Sequence, residues 1–355
     1  MDDPFQQRAL ELYGAQRAAI PAYDAWCSHE LATRGADAEV AAWRDIPALP
    51  IAAFKSLEVF DPAAPVAAEW RSSGTTSADR SRHRLATLGH YDHAIDLGVD
   101  AALVPDVATG ARPPLACVQL QPSGADAPHS SLSYMYDRIR TGERCRDAGA
   151  WVDAEYGVDA PGAWEQLTRL AGSGEPVLVL ATSFALVLLL DAVRDAGLPP
   201  IQLPPASRVV DTGGYKGRTR ELTREELVAR TGSWLGVPAE WCENEYGMSE
   251  LSSQAWLGTV AAACGLPLPE LADAPGGRWF PPTMRVRVVD PVSLEEVADG
   301  EPGLLVFHDI ANVHSCAAIR SEDIGTRRGS SFELVGRAPG AVLKGCSLHL
   351  EELPA

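Results

Sequence analysis

Five hydroxyl side chains surround one glycine in Ser72-Ser73-Gly74-Thr75-Thr76-Ser77, and Arg80, Arg82 and Arg84 follow within a few residues. This composition binds phosphate: glycine lets backbone N–H groups turn inward, hydroxyls donate further hydrogen bonds, and guanidiniums neutralise the anion. The same residues also suit a solvated turn. A second segment, Glu243-Asn244-Glu245-Tyr246-Gly247-Met248-Ser249-Glu250, places an aromatic ring, a flexible Gly247 and several carboxylates at the end of an expected strand. Ligands of α/β sheets collect at such strand ends. Tyr246 suits stacking on a base, and Glu250 suits Mg²⁺, a hard cation that takes a few carboxylates plus phosphate oxygens. A strand-to-loop turn with surface acids is the alternative. In the third segment, Arg320-Ser321-Glu322-Asp323-Ile324-Gly325, an acid pair is expected between strands. A carboxylate there can accept both hydroxyls of a ribose, or the pair is an acidic hairpin turn.

Several other chemistries lack their motifs. The chain has no G-x-x-x-x-G-K-[ST], no G-x-G-x-x-G after a strand, no H-E-x-x-H and no G-x-S-x-G, so P-loop, dinucleotide-fold, zincin and hydrolase readings are unsupported. The seven cysteines are odd in number, scattered and free of C-x-x-C spacing, which argues against a disulfide framework or a structural zinc site. A functional cysteine here would be used for its reactivity. Over 355 residues, 46% hydrophobic and 22% charged side chains supply ample core. The net charge of −18 repels nucleic acid and anionic membrane surfaces. The start, Met1-Asp2-Asp3-Pro4-Phe5, is acidic where an export signal is basic, so a cytoplasmic protein is expected. The longest apolar run, Val177 to Leu190, is broken by Thr182 and Ser183 and is too short for membrane insertion.

The positioning elements follow from periodicity. Helical spacing of Phe5, Leu10, Leu12 and Tyr13, then of Tyr23, Trp26, His29 and Leu31, predicts two helices up to about Arg34, with Pro21 opening the second. Apolar runs at Leu115–Leu120, Val177–Ala181, Arg208–Asp211 and Trp241–Tyr246 predict strands, and Phe184–Ala196 and Thr219–Thr231 predict helices. Together they imply an α/β core, residues 1–282, of mostly parallel sheets covered by helices. From Thr283 the alternation Met284-Arg285-Val286-Arg287-Val288-Val289 and the strands after it imply a β-rich subdomain, residues 283–355.

In this order and spacing, the three polar segments resemble the adenylate-forming superfamily of acyl-CoA synthetases, luciferases and peptide-synthetase adenylation domains. Within it they are most similar to the acyl-protein synthetase branch, the fatty-acid activating enzymes of bacterial bioluminescence. Further matches to that branch are Ile46-Pro47-Ala48-Leu49-Pro50-Ile51 with Phe54-Lys55, Ser130-Ser131-Leu132 with Met135, and Thr182-Ser183-Phe184. Asp211-Thr212-Gly213-Gly214-Tyr215-Lys216-Gly217 and Gly336-Arg337 through Gly345-Cys346-Ser347-Leu348 carry the resemblance almost to the end.

The resemblance implies ATP and Mg²⁺ as cofactors and a phosphate loop at Ser72, Ser73, Gly74, Thr75, Thr76 and Ser77 with Arg80. It also implies an adenine and acyl pocket at Gly213, Gly214, Tyr246 and Gly247 with Ser183 and Phe184, Mg²⁺ at Glu250, and ribose at Asp323 near the hinge residue Arg337. Two departures stand out. The lysine that usually follows the phosphate loop is replaced by Ala78-Asp79-Arg80-Ser81-Arg82, with Lys216 as an alternative charge or a solvated turn residue. The mobile C-terminal domain that usually follows the hinge is expected to be absent, and with it a catalytic lysine, unless Lys344 or a partner stands in.

The implied reaction is attack of a carboxylate on the α-phosphorus of ATP, giving an acyl-adenylate and pyrophosphate. The acyl group then passes to a thiol. Cys346, flanked by Lys344, matches the self-acylating pattern of the branch, against the alternative of buried packing. From there it would reach an acyl-accepting reductase, transferase or carrier protein. Two other readings are a ligase acting on a small thiol or amine, and a catalytically silent nucleotide- or acyl-binding scaffold. The identity of the carboxylic acid, fatty or aryl, is not written in these residues.

Overall fold

The computed structural model describes residues 3–35, 38–72, 80–213, 222–271, 274 and 276–338. Its elements run in chain order from helices α1 (Pro4–Ala19) and α2 (Pro21–Arg34) through β1 (Leu49–Pro50), α3 (Ala53–Ser56), β2 (Ala68–Arg71), β3 (Arg82–Leu85), α4 (Gly89–Gly98) and α5 (Pro105–Ala108). An alternating series follows: β4 (Leu115–Leu120), α6 (Ser131–Thr141), β5 (Cys145–Ala150), α7 (Ala160–Ala171), β6 (Val177–Thr182), α8 (Ser183–Asp195), β7 (Arg208–Thr212), α9 (Arg224–Leu235) and β8 (Cys242–Tyr246). The remainder is β9 (Ala255–Trp256), α10 (Thr259–Ala263), β10 (Met284–Val289), β11 (Gly303–Asp309), β12 (Ala318–Arg328) and β13 (Ser331–Arg337). Two units divide these elements. One comprises Met1–Asp96, Met248–Gln254 and Glu270–Ala355, the other Leu97–Gly247 and Ala255–Pro269.

The second unit is the helix-covered parallel sheet that the apolar runs predict. Its strand order is β5-β4-β6-β7-β8-β9, parallel from β5 to β8 with only β9 antiparallel. β4 and β7 are buried along their whole length and β6 along all but its last residue, as strands covered on both faces of a parallel sheet are. Leu167 of α7, Leu186 and Leu190 of α8 and Leu227 of α9 pack with Val179 and Val209 of the sheet in one core. Side-chain caps start α6, α7, α8 and α9. Thr182 accepts from the Ala185 N–H at the head of α8, and Thr223 with Glu226 forms a capping box on α9. Parallel register brings Thr182, Thr212 and Glu245 side by side at the carboxyl ends of β6, β7 and β8.

The first unit contains a five-stranded, mainly antiparallel sheet, β1-β12-β11-β10 with β13 also on β12. On β10 the alternation holds, with Met284, Val286 and Val288 buried and Arg285 and Arg287 partly exposed. Pro4 and Pro21 open their helices, where the missing N–H costs nothing. Tyr13 of α1 and Tyr23 of α2 meet edge-to-face at 6.4 Å. Two features were not anticipated. The proline-marked segment contributes β1, parallel to β12 through Leu49↔Ile319 and Pro50↔Arg320. And the acid pair does not lie between strands: Glu322 and Asp323 sit inside the 11-residue β12, whose pairing with β13 shifts register between Ile324 and Gly325. Charged residues lower strand propensity in isolation, but the pairing with β13 on one side and the flanking pairs with β11, whose register skips residues 321–323, override it. Among the described residues, no helix is long and apolar enough to cross a membrane.

Candidate functional site

In the first unit the Ser/Thr segment begins as the loop of a hairpin. β2 and β3 pair antiparallel, closing on Arg71↔Arg82. Beyond that pair the Ser72 N–H donates to the Ser81 carbonyl at 3.2 Å and the Ser81 N–H to Ser72 Oγ at 3.0 Å. Ser73, Gly74, Thr75, Thr76 and Ser77 lie outside the described residues, and Arg80 is exposed at the loop's return. Arg84 is not available to an anion. Its guanidinium is held by Glu69 at 2.7 Å and by Glu58 at 2.5 Å.

Ser81 is the residue that the motif reading passed over. It is buried, and its hydroxyl donates to the carboxylate of Glu250, tying the end of the hairpin loop to a residue far along the chain. Glu250 is itself buried. Burial pushes its carboxyl pKa up, the Ser81 bond and the charge of Lys55 pull it down, and the charge of Glu322 adds to the rise. Lys55, Lys216 and Lys344 are the chain's three lysines, and Lys55, exposed in α3, is the one within the described residues. His83, two residues after Ser81, is wholly buried, and its pKa is pushed down to about 4, chiefly by burial. Asp323 pairs in register with Arg337 across β12 and β13. The Arg337 Nε donates to Asp323 Oδ1 at 3.3 Å from a side chain that is 81% exposed.

In the second unit the expected pocket residues stand at the carboxyl ends of β6, β7 and β8. Asp211 organises them: Oδ2 accepts from Ser183 Oγ at 3.0 Å and from Asn244 Nδ2 at 2.7 Å, and Oδ1 accepts from Arg224 at 2.8 Å. Ser183 also contacts the Gly213 carbonyl at 3.1 Å, so its hydroxyl is engaged in holding the strand ends together. Gly213 has φ of +73°, with no atom of the described residues within 4 Å of where a Cβ would stand, a turn that glycine enters without strain. Phe184 is half-buried, Tyr246 is buried at the tip of β8, and Gly247 is exposed beside it. The nearby acids are not on the surface. The Thr212 hydroxyl donates to Glu245, and Glu243 accepts from the Leu257 N–H at 2.7 Å and the Gly258 N–H at 3.1 Å. Asp211 and Asn244 lie inside segments that the sequence singles out, but without a role of their own, and Arg224 lies outside any such segment, so the node they form was not anticipated. Gly214, Lys216, Lys344 and Cys346 lie outside the described residues.

The Glu250 surroundings suit a hard divalent cation. One carboxylate beside one hydroxyl, with a second carboxylate within electrostatic range, leaves the remaining coordination to phosphate oxygens and water. Among the described residues, no cluster of three or more His, Cys, Asp or Glu side chains forms an all-protein metal cage.

Comparison with known proteins adds family and fold. The family model described as acyl-protein synthetase, LuxE, matches residues 20–353. The long-chain-fatty-acid–luciferin-component ligase of Aliivibrio fischeri is 35% identical over 82 residues, 21% of this chain and 22% of that protein. Among solved structures, 2-hydroxyisobutyryl-CoA ligase in complex with 2-HIB-AMP matches with a TM-score of 0.60 and 10% identity over 94% of this chain and 67% of that one. ATP-bound MatB from Rhodopseudomonas palustris matches with a TM-score of 0.51 and 13% identity over 78% of this chain. The luciferase-like enzyme of the mealworm Zophobas morio matches with a TM-score of 0.51 and 10% identity over 79% of this chain and 58% of that one. The match spans 49% of MatB. At such identities the shared property is the fold. Because the family model takes in nearly all of the sequence and the observed α/β architecture agrees with it, the chain belongs to the acyl-protein synthetase family of adenylate-forming enzymes.

Proposed function

We propose that this protein uses ATP to activate a carboxylic acid as an acyl-adenylate and then passes the acyl group to a thiol. The observation that carries this reading is the bond from Ser81, at the return of the Ser72–Ser77 loop, to buried Glu250. It joins the phosphate-binding composition to the acid best suited to a metal ion. Glu250 would hold Mg²⁺, which supplies charge neutralisation for the phosphates. A carboxylate oxygen of the substrate bonds to the α-phosphorus, the bond to the β-phosphate bridging oxygen breaks, and pyrophosphate leaves. The Ser72–Ser77 loop and Arg80 stabilise the negative charge on that leaving group. Asp323 accepts hydrogen bonds from the ribose, with Arg337 beside it. The family resemblance would assign Tyr246, Gly247, Gly213 and Gly214 to the adenine and Ser183 and Phe184 to the acyl group. Lys216 adds charge at the phosphates.

In the second half, the Cys346 thiolate, favoured by Lys344, attacks the acyl carbonyl and AMP departs, leaving a thioester for a reductase, transferase or carrier protein to collect. The test is acid-dependent pyrophosphate exchange across aliphatic and aryl acids, followed by labelling with the best acid. Exchange plus a hydroxylamine-sensitive label lost in Cys346→Ser supports both halves. Turnover retained in Cys346→Ser assigns the acyl group to a small thiol or amine instead. ATP binding without exchange for any acid would overturn the enzyme reading in favour of a silent scaffold.

A further inference from the structure

Residues 248–254 belong to no helix or strand, so their backbone polar groups must find partners elsewhere. Three buried side chains supply them, all from the same unit as Glu250. His83 Nδ1 lies 2.7 Å from the Ser249 carbonyl. That carbonyl can only accept, so Nδ1 carries the proton. Asn312, fully buried, donates from Nδ2 to the Glu250 carbonyl at 2.9 Å and to the Cys316 carbonyl at 3.1 Å. Its Oδ1 therefore faces His83 Nε2, at 3.0 Å. The Ser315 hydroxyl donates to the Asn312 oxygen at 2.8 Å and stands 3.1 Å from that nitrogen. On the other side of Glu250, Asp309 accepts from the Ser252 N–H at 2.8 Å and from the Ser253 N–H at 2.7 Å. It also accepts from the Ser253 hydroxyl at 2.8 Å and the Ala311 N–H at 3.1 Å.

The clamp is itself braced. Gln16 of α1 donates to the Asn312 carbonyl at 2.8 Å and accepts from the Ala317 N–H at 2.9 Å. Phe54 of α3 meets the His83 ring edge-on at 5.9 Å. Buried polar groups at this density interact strongly with one another in a low-dielectric interior. Here they converge on an irregular segment that carries a buried, hydroxyl-bonded carboxylate.

We propose that His83, Asn312 and Asp309 are positioning residues that fix the backbone on both sides of Glu250, so that its carboxylate meets a divalent cation without reorganisation. This rests on the assignment of Glu250 as the cation-holding carboxylate. Partners of this kind commonly change metal affinity by about 10–100-fold when removed. The test is Mn²⁺ binding to the full chain in the presence of ATP, followed by electron paramagnetic resonance, with circular dichroism confirming the fold. Asn312→Ala and His83→Phe are expected to weaken Mn²⁺ by about 10-fold or more. His83→Gln, whose amide can still donate to the Ser249 carbonyl, is expected to recover most of that loss. Ser315→Ala, a smaller change that keeps the fold if the larger ones do not, is expected to weaken Mn²⁺ by a few-fold. Lost affinity in Glu250→Gln with unchanged affinity in folded Asn312→Ala or Ser315→Ala overturns the clamp alone. Unchanged affinity in Glu250→Gln overturns the assignment of Glu250 and the clamp with it.

Discussion

Arg208, the first residue of β7, is wholly buried and grips Asp106 of α5 in a two-pronged pair, Nη1 to Oδ1 and Nη2 to Oδ2, both at 2.9 Å. It also donates to the Leu103 carbonyl at 2.9 Å and stacks over Trp241 at 5.0 Å. Arg112 adds a bond to Asp106 at 2.7 Å. Burial pushes the Asp106 carboxyl up, but the two guanidiniums overcome it and hold the pKa at about 2, against an ordinary 3.8. Each pH unit of that interval is worth about 1.4 kcal/mol, so ionised Asp106 contributes about 2 kcal/mol to folding. Because the folded pKa is depressed, this stability is full above about pH 4 and is lost as pH falls toward 2. Asp106→Asn imitates the protonated acid. Urea unfolding should therefore find it about 2 kcal/mol less stable than the parent at pH 7, with roughly half that difference remaining at pH 3. A cost under about 0.5 kcal/mol at pH 7, or a difference that does not narrow with acid, would refute the reasoning.

His308 is wholly buried in β11, neither ring nitrogen has a hydrogen-bond partner among the described residues, and Trp43 packs edge-on at 4.8 Å. Replacing it by leucine removes two unsatisfied polar atoms and should raise stability by about 1 kcal/mol or more, read as a higher melting temperature; a lower one would count against the orphaned imidazole. Gly213→Ala meets no atom of the described residues but must hold φ of +73°, so a loss of about 1–2 kcal/mol is expected in denaturant unfolding. Asp323→Asn, if the carboxylate accepts from ribose, should raise KM for ATP about 10-fold in pyrophosphate exchange and leave kcat nearly unchanged; an effect on kcat alone would remove the ribose role.

Much of the architecture was legible in the residues because local physics writes it there. The apolar run Val177–Ala181 marked a buried strand, Phe184–Ala196 marked the helix after it, and the alternation of β10 marked one wet and one dry face; the helix expected at Thr219–Thr231 runs instead from Arg224 to Leu235, because the Thr223–Glu226 capping box sets its start. The order of the polar segments pointed to the family, since each carries its own composition. Tertiary structure decided which groups meet. Nothing near Ser81 indicates a carboxylate 169 positions away, and nothing near His83 indicates Asn312, 229 positions on. Asp323 read as a turn because its own propensity says so, yet it lies in a strand because β13 pairs with it, Asp323 opposite Arg337, while the register with β11 skips residues 321–323. Periodicity records how a residue faces water, which is a local property. The partner of a buried polar atom is set by topology, and chain neighbours carry no trace of it.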